Sequence, residues 1–251
     1  MDRAIEHPTF KVPILTWWKG IYDHVFVALH PFYRVRAEDA GPAGAPPAYE
    51  DRLGWDRRPK DFDDAIKARG ESVSWDEVHR SVAPEEPREL VHRAIWLLSC
   101  VGLRPRANVA LQERILDHCE RQSLYMPFDD FMPPNLEPAI GRFLKGFGAT
   151  SVTAWDEFRS YSTEIPLSDF DAARPSNRLP EGQTGSGVYG LHLPDPGVLL
   201  TWEFDCAQAL VALSDFALRQ CRPEEFFEGW YVDETTYSDV FNPRDFFLRE
   251  A

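Results

Sequence analysis

The residues best suited to chemistry lie together in one short segment, residues 201–206, which reads TWEFDC. If this segment continues a strand, Thr201, Glu203 and Asp205 share one face and the aromatic side chains between them face the core, because side chains alternate along a strand. Two carboxylates at a strand end can bind a divalent cation or act as an acid/base pair. In the simpler interpretation, Glu203 faces solvent and Asp205 caps the helix that follows.

Cys206 adds a thiol to this segment. We predict a helix over residues 206–220, and the dipole at the first turn of a helix lowers the pKa of a thiol. The two neighbouring carboxylates act in the opposite direction, because negative charge raises a thiol pKa. Cys206 is therefore either a candidate nucleophile or a small buried side chain.

Histidines could complete a site around these carboxylates. The sequence has seven histidines, but none lies four residues from another and no H-E-x-x-H occurs, so a helical zinc site is not supported. His24 and His30 bracket the apolar run at 25–29, and His192 belongs to a later predicted strand, so these side chains could converge with Glu203 if the strands pair. Each of them could equally be structural. The candidate catalytic residues are Glu203, Asp205, Cys206, His30 and His192.

Residues 185–190, GSGVYG, match G-x-G-x-x-G. The dinucleotide site that this pattern marks requires a strand before it and a helix after it. Here a loop rich in Pro and Ser precedes the glycines, and a strand that ends before Pro194 follows them. We therefore predict a flexible loop entering a hairpin and no cofactor, although a divalent metal remains open.

The charge is strongly asymmetric along the chain. Net charge is −14 over the chain, and residues 126–251 contribute −12 of it. Binding to nucleic acid requires a basic footprint, so this composition disfavours nucleic acid and also an anionic membrane surface. A basic protein partner would be attracted. The alternative is a solvated acidic surface that maintains solubility.

Periodicity and turn residues predict the elements. Helices are expected at 16–22, 87–101, 108–122, 136–147 and 206–220, and Ser74-Trp75-Asp76-Glu77 matches a capping box. Strands are expected at 25–29, 151–155, 187–193, 198–204 and 229–232, with a hairpin turn at 194–197. Loops are expected at 40–49, 127–135 and 168–187. This order predicts one α+β domain over residues 1–251, with a mostly antiparallel sheet packed against a central group of helices.

The cellular compartment follows from what the sequence lacks. No apolar run is long enough to span a bilayer, and the start of the chain has no secretory signal pattern. The four cysteines are far apart and show no CxxC spacing, which argues against a disulfide framework and a structural zinc site. We expect a cytoplasmic protein.

Three short segments carry a resemblance to a known family. They are residues 29–33 (LHPFY), 200–205 (LTWEFD) and 227–231 (FEGWY). In this order they resemble a bacterial family of uncharacterised proteins, the domain of unknown function 2711. Residues 227–231, followed by Asp233-Glu234-Thr235, are also similar to the C-terminal ends of immunity proteins from bacterial toxin systems. That resemblance implies a small acidic protein that binds and blocks a cognate toxin.

Two hypotheses follow. The first is a protein-binding module of the immunity type, which uses the acidic C-terminal half against a basic partner. Its expected contact residues are Glu224, Glu225, Glu228, Trp230, Tyr231, Asp233, Glu234 and Asp239. The alternative is an enzyme with an acidic, metal-dependent or metal-free pocket that acts on a small molecule. Convergence of its candidate residues in a cleft lined by Trp155 and Trp202 would favour the enzyme.

Overall fold

The computed structural model describes residues 3–34, 62–99, 108–179 and 187–242, which contain seven α-helices and ten strands. The helices are α1 (Ile14–Trp17), α2 (Phe62–Arg69), α3 (Trp75–Val82), α4 (Arg88–Ser99), α5 (Val109–Gln122), α6 (Glu137–Lys145) and α7 (Asp215–Gln220). The strands are β1 (His24–Leu29), β2 (Phe32–Arg34), β3 (Glu71–Val73), β4 (Leu124–Tyr125), β5 (Ser151–Trp155), β6 (Ser162–Pro166), β7 (Gly190–Leu193), β8 (Val198–Trp202), β9 (Gln208–Leu213) and β10 (Gly229–Tyr231). The predicted loop at 40–49 and part of the one at 168–187 lie outside the described residues.

The strands form two antiparallel sheets. The larger sheet has seven strands in the order β10-β1-β9-β8-β7-β5-β6, and the smaller one has the order β3-β2-β4. Every described pairing is antiparallel, and most of the helices lie between β2 and β5 in the sequence. The predicted α+β class with a mostly antiparallel sheet is confirmed.

The larger sheet is covered on both faces, so its central strands are buried on both sides. In β1, Val25 and Val27 belong to an apolar cluster with α3, α4 and α5. The intervening Phe26 and Ala28 face the other side, where they pack with α6 and α7. Because successive side chains point to opposite faces, a strand in this position needs an apolar residue at nearly every place.

The predicted helix at 206–220 is wrong over its first half. Residues Gln208–Leu213 form β9, which lies between β1 and β8, and α7 begins only at Asp215. All six residues of β9 are buried. A continuous apolar run has neither the two-residue alternation of a half-exposed strand nor a polar helix face, so periodicity could not distinguish the two. Cys206 therefore does not lie in the first turn of a helix.

Strand β8 ends earlier than predicted. It stops at Trp202, and the chain turns over residues 203–207 before β9. Phe204, predicted to face the core, is 55% exposed. Asp205 has the left-handed φ of 58° that the turn requires. The predicted hairpin at 194–197 is confirmed, because β7 and β8 pair across it.

The helix start predicted at Ser74 is confirmed, but the carboxylate that accepts the free N–H groups is that of the distant Glu228 and not that of Glu77. The Ser74 hydroxyl accepts the backbone N–H of Glu77 at 3.1 Å. The free N–H groups of Trp75 and Asp76 donate to the carboxylate of Glu228 at 2.8 and 3.0 Å. Glu228 thereby attaches the start of α3 to the segment before β10, and it satisfies donors that otherwise have no helical partner.

We expect Glu228→Gln to lower the free energy of unfolding by about 1–2 kcal/mol, because the amide keeps the shape of the cap but loses one acceptor and the charge. Urea unfolding at neutral pH measures this change. Glu234→Gln, at an exposed position, is the matched control and should leave stability unaltered. Equal stability of the two variants would contradict a capping role for Glu228.

Candidate functional site

A cleft of about 370 Å³ opens at one end of the larger sheet. The N-terminal segment, the β5–β6 turn and the end of β8 form its walls. We call it the tryptophan cleft after three of its wall residues, Trp17, Trp155 and Trp202. Its ionisable lining residues are Glu6, His7, Glu157, Arg159, Tyr189 and Glu203. Phe158 and Phe204 also line it, and they are 78% and 55% exposed.

The N-terminal segment is held in place by two side chains of the turn that follows α1. The indole N–H of Trp18 donates to the Arg3 carbonyl at 2.9 Å, and the Tyr22 hydroxyl donates to the Ala4 carbonyl at 2.8 Å. Both donors belong to buried side chains. These contacts fix the backbone directly before Glu6 and His7, so two side chains that are remote in sequence from the sheet become part of its cleft.

The β5–β6 turn is organised by one carboxylate. Asp156 is 1% exposed, and its Oδ1 accepts the backbone N–H groups of Ser160 and Tyr161 at 2.7 and 3.2 Å. Arg159 within the turn has a left-handed φ of 54°, which is rare for a residue with a side chain. The turn thereby presents Glu157 and Arg159 at the rim, and such backbone strain is common near functional sites.

A glycine makes room for the Trp155 indole. A Cβ atom on Gly190 would lie 2.1 Å from Cε2 of Trp155, so no larger residue fits here without moving the ring. Gly190 faces Trp155 across the β5–β7 pair. Gly187 of the sequence motif also allows close packing of an aromatic ring, since a Cβ there would meet the ring of Phe131.

The central feature of the cleft is a histidine–carboxylate pair. Nδ1 of His7 lies 2.8 Å from Oε2 of Glu203, and the two side chains are 12% and 35% exposed. Nδ1 also lies 3.0 Å from the carbonyl oxygen of Pro8, its hydrogen-bond partner. Because both neighbours of Nδ1 are acceptors, Nδ1 carries the hydrogen and the lone pair remains on Nε2. In this state His7 can take a proton from a molecule in the cleft and return it later.

Acidic side chains predominate around Tyr189 and Glu157. The pKa of Tyr189 is raised by burial and by the carboxylates of Asp130, Glu157, Asp129 and Glu203. The pKa of Glu157 is raised as well, by burial and then by neighbouring carboxylates. Both shifts have the sign expected where anions crowd together.

The structure separates most of the predicted catalytic residues. Glu203 lies in the cleft, but His30 is fully buried away from its lining. His24 and His192 lie on β1 and β7, with β9 and β8 between them, so about 14 Å separates the two backbones. His24 instead pairs with Asp215, Nε2 to Oδ1 at 2.7 Å.

The remaining predicted residues have other surroundings. The backbone N–H of Asp205 donates to Oδ1 of Asp130 at 2.7 Å. Cys206 is 3% exposed, and burial together with Glu203 raises its thiol pKa. A thiol that resists ionisation is a poor nucleophile. The prediction that a helix dipole lowers the pKa of Cys206 is wrong, because Cys206 does not begin a helix and its thiol pKa is raised. His192 lies beside Trp155, with ring centroids 6.2 Å apart.

His30 supports the cleft from behind. Its Nδ1–H donates to the Phe128 carbonyl at 2.5 Å, and its Nε2 accepts the indole N–H of Trp202 at 2.9 Å. Burial lowers the pKa of His30 to about 4, so the ring is neutral at physiological pH. A neutral ring is what this arrangement requires, because the imidazolium form would have no acceptor for Trp202.

The residues predicted to contact a partner divide into two groups. Glu228 caps α3, Trp230 packs against the core, and Asp239 is 6% exposed. Burial raises the pKa of Asp239 to about 6. The exposed members of the set are Glu224, Glu225, Tyr231, Asp233 and Glu234. Among these, Glu224 accepts the hydroxyl of Tyr231, and Asp233 accepts the N–H and hydroxyl of Thr235.

Sequence reasoning missed Glu6, His7, Glu157 and Arg159. None belongs to a recognised motif, and His7 and Glu203 are almost two hundred residues apart. The polar turn after the predicted strand at 151–155 was a usable signal. A hairpin turn that follows Trp155 directly would place the charged side chains of the turn beside the Trp155 indole.

The described residues form neither a cluster of metal ligands nor a membrane-spanning helix. Within the described ranges, no group of three or more His, Cys, Asp or Glu side chains is arranged to hold a metal ion. No helix in those ranges is long and apolar enough to cross a bilayer.

Comparison with known proteins identifies a family. Residues 10–241 match the model of a protein family described as "Protein of unknown function (DUF2711)". No curated protein and no solved structure matches the chain. The matched region includes β1 to β10 and most of the cleft, but His7 and Glu6 precede it.

The buried imidazole of His30 predicts a sensitivity to acid. The unfolded chain binds a proton on this ring near pH 6.5, whereas the folded protein does so only near pH 4. The free energy of unfolding should therefore fall as the pH drops between these values, with about 3 kcal/mol from His30 alone. Urea unfolding at a series of pH values measures this dependence.

The His30→Gln variant, although less stable at neutral pH, should lose less stability on acidification than the wild type. The half-exposed His192 provides the control, because His192→Gln should retain the wild-type pH dependence. If His30→Gln and the wild type lose the same stability on acidification, the neutral buried ring is not the cause.

Proposed function

The chain belongs to the DUF2711 family of proteins of unknown function, and we propose that it is an enzyme that performs acid–base chemistry on a small molecule in the tryptophan cleft. The pair formed by His7 and Glu203 carries this proposal. It lies in a cleft of about 370 Å³, a volume within the range of small-molecule sites. The cleft also brings together Trp155 and Trp202, the two tryptophans that were expected to line an active site.

In the proposed mechanism His7 is the group that exchanges a proton with the bound molecule. Its Nε2 accepts the proton, and the resulting imidazolium is stabilised by the Glu203 carboxylate at Nδ1. Glu203 acts through His7 and is a positioning residue. Trp155 and Trp202 give the cleft an apolar wall, and a charge beside such a wall interacts more strongly than it does in bulk water.

The test compares His7 with His24, which also pairs with a carboxylate but lies outside the cleft. Diethyl pyrocarbonate reacts with the unprotonated nitrogen of a histidine, and mass spectrometry gives the rate at each residue. We expect His7 to react faster than His24 although its side chain is less exposed, 12% against 37%. Glu203→Gln should slow the reaction at His7 by about tenfold, the effect of losing a charged hydrogen bond, and should leave His24 unaffected.

The result that contradicts the proposal is equally direct. If His7 reacts in proportion to its exposure, and Glu203→Gln does not alter its rate, the pair serves only to attach the N-terminal segment to β8. Asp215→Asn provides the matched control, because it removes the charge beside His24 without touching the cleft.

A second candidate function is protein binding of the immunity type. The observation that favours it is the net charge of −12 over residues 126–251, part of which lies on the exposed Glu225 and Glu234. An acidic surface of this kind steers a basic partner and increases its association rate. A partner held in this way would be a basic protein from the same cell.

Charge reversal tests this candidate. Glu225→Lys combined with Glu234→Lys should abolish capture of a basic partner from lysate at low salt. Glu113→Lys combined with Glu120→Lys, at exposed positions of α5, introduces the same charge elsewhere and should preserve capture. Equal recovery by both double variants, or recovery of no basic protein by the wild type, rejects the candidate.

A further inference from the structure

One carboxylate of the cleft has no hydrogen-bond donor among the described residues. Glu6 lines the cleft and is 8% exposed. Within the described part of the chain its carboxylate accepts no hydrogen bond, and its ion pair with Nη2 of Arg159 is 3.8 Å long. That distance exceeds hydrogen-bond range. The Glu6 oxygens are not fully buried, so they remain accessible to water or to the N–H groups of a ligand.

The charges around Glu6 do not supply those donors. Glu157 and Glu203 also line the cleft, and the cationic groups there are Arg159 and, when protonated, His7. His7 is already engaged by Glu203. The lining therefore has more acidic than basic groups, and the carboxylates next to Tyr189 and Glu157 extend the negative region outwards.

The walls of the cleft favour the same class of ligand. Trp17, Trp155, Trp202 and Tyr189 line the cleft. Trp155 and Trp202 are 5% and 2% exposed, and the guanidinium of Arg3 lies 5.1 Å from the ring centroid of Trp17. Aromatic faces attract cations through the ring quadrupole, most strongly for tryptophan. A carboxylate without a hydrogen-bond donor and aromatic residues beside it together favour a ligand that is a cation with N–H groups.

We infer that the ligand of the tryptophan cleft is a small organic cation, a protonated amine or guanidinium, whose N–H groups donate to Glu6 while its carbon chain lies against the indole walls. This inference rests on the proposed function for the location of the ligand and adds its chemical class. Glu157 at the rim attracts the cation, and Glu6 inside the cleft holds it. An anionic ligand is disfavoured by the same charges.

A matched set of four-carbon compounds tests the inference. Putrescine is the cation, 1,4-butanediol its neutral counterpart and succinate its anionic counterpart, and agmatine adds the guanidinium. Binding is measured by the change in melting temperature and by tryptophan fluorescence, because a ligand of the folded state raises the melting temperature. We expect putrescine or agmatine to bind and the other two compounds to have no effect.

Variants locate the interaction. Glu6→Gln should weaken binding of the cation by about tenfold or more, since a charged hydrogen bond is lost. Glu157→Gln, at an exposed position that does not support the core, should weaken it less and serves if Glu6→Gln fails to fold. Glu164→Gln on the edge strand β6 is the control and should bind as the wild type does.

The outcomes distinguish the inferred ligand class from the proposed catalytic role of His7. If butanediol or succinate binds as tightly as putrescine, if no cation binds, or if Glu6→Gln and Glu157→Gln both bind normally, the inference is wrong. That result leaves the reactivity of His7 towards diethyl pyrocarbonate unaltered. Conversely, cation binding that requires Glu6, together with an unreactive His7, supports the ligand class and rejects the catalytic role.

Discussion

The buried neutral imidazole of His30 is the interaction on which much of this structure depends. His30 lies between β1 of the larger sheet and β2 of the smaller one. Its backbone N–H donates to the carbonyl oxygen of Ala207 at 2.9 Å. Its ring joins Phe128 to Trp202, and its carbonyl accepts the indole N–H of Trp75 at 2.6 Å. One residue thus links both sheets, the loop after β4 and helix α3. Because every polar atom of this residue has a partner, the arrangement is stable only while the ring is neutral.

The tryptophan cleft is built on the opposite principle. At its base, the buried carboxylate of Asp156 is satisfied, because it accepts two backbone N–H groups. Inside it, Glu6 lacks a donor and carboxylates crowd around Tyr189. Left-handed residues at Arg159 and Asp205 lie in the two turns that carry its rim. Proteins retain such unfavourable features mainly where a ligand or a reaction compensates for them.

The sequence allowed the fold class to be predicted but only part of the site. The helix start at Ser74 and the strand at 151–155 were predictable, because their signals are local. The strand β9 was not, since burial on both faces removes the alternation that marks a strand. Glu203 was identified as chemically important from its neighbours, whereas its partner His7 depends on how the N-terminal segment folds back over the sheet. Contacts between residues so far apart have no signature in one sequence.

The absence of a side chain at Gly190 has a consequence for how this family can diverge. The Trp155 indole occupies the space where a Cβ would stand, so the two positions share one volume. Neither residue can change independently. A larger residue at position 190 is accommodated only with a smaller one at position 155, and a smaller residue at 155 beside Gly190 would leave a void in the wall. Relatives that keep the glycine are therefore expected to keep a broad cleft wall. Those that replace it must have reshaped the cleft, and with it the molecules that fit.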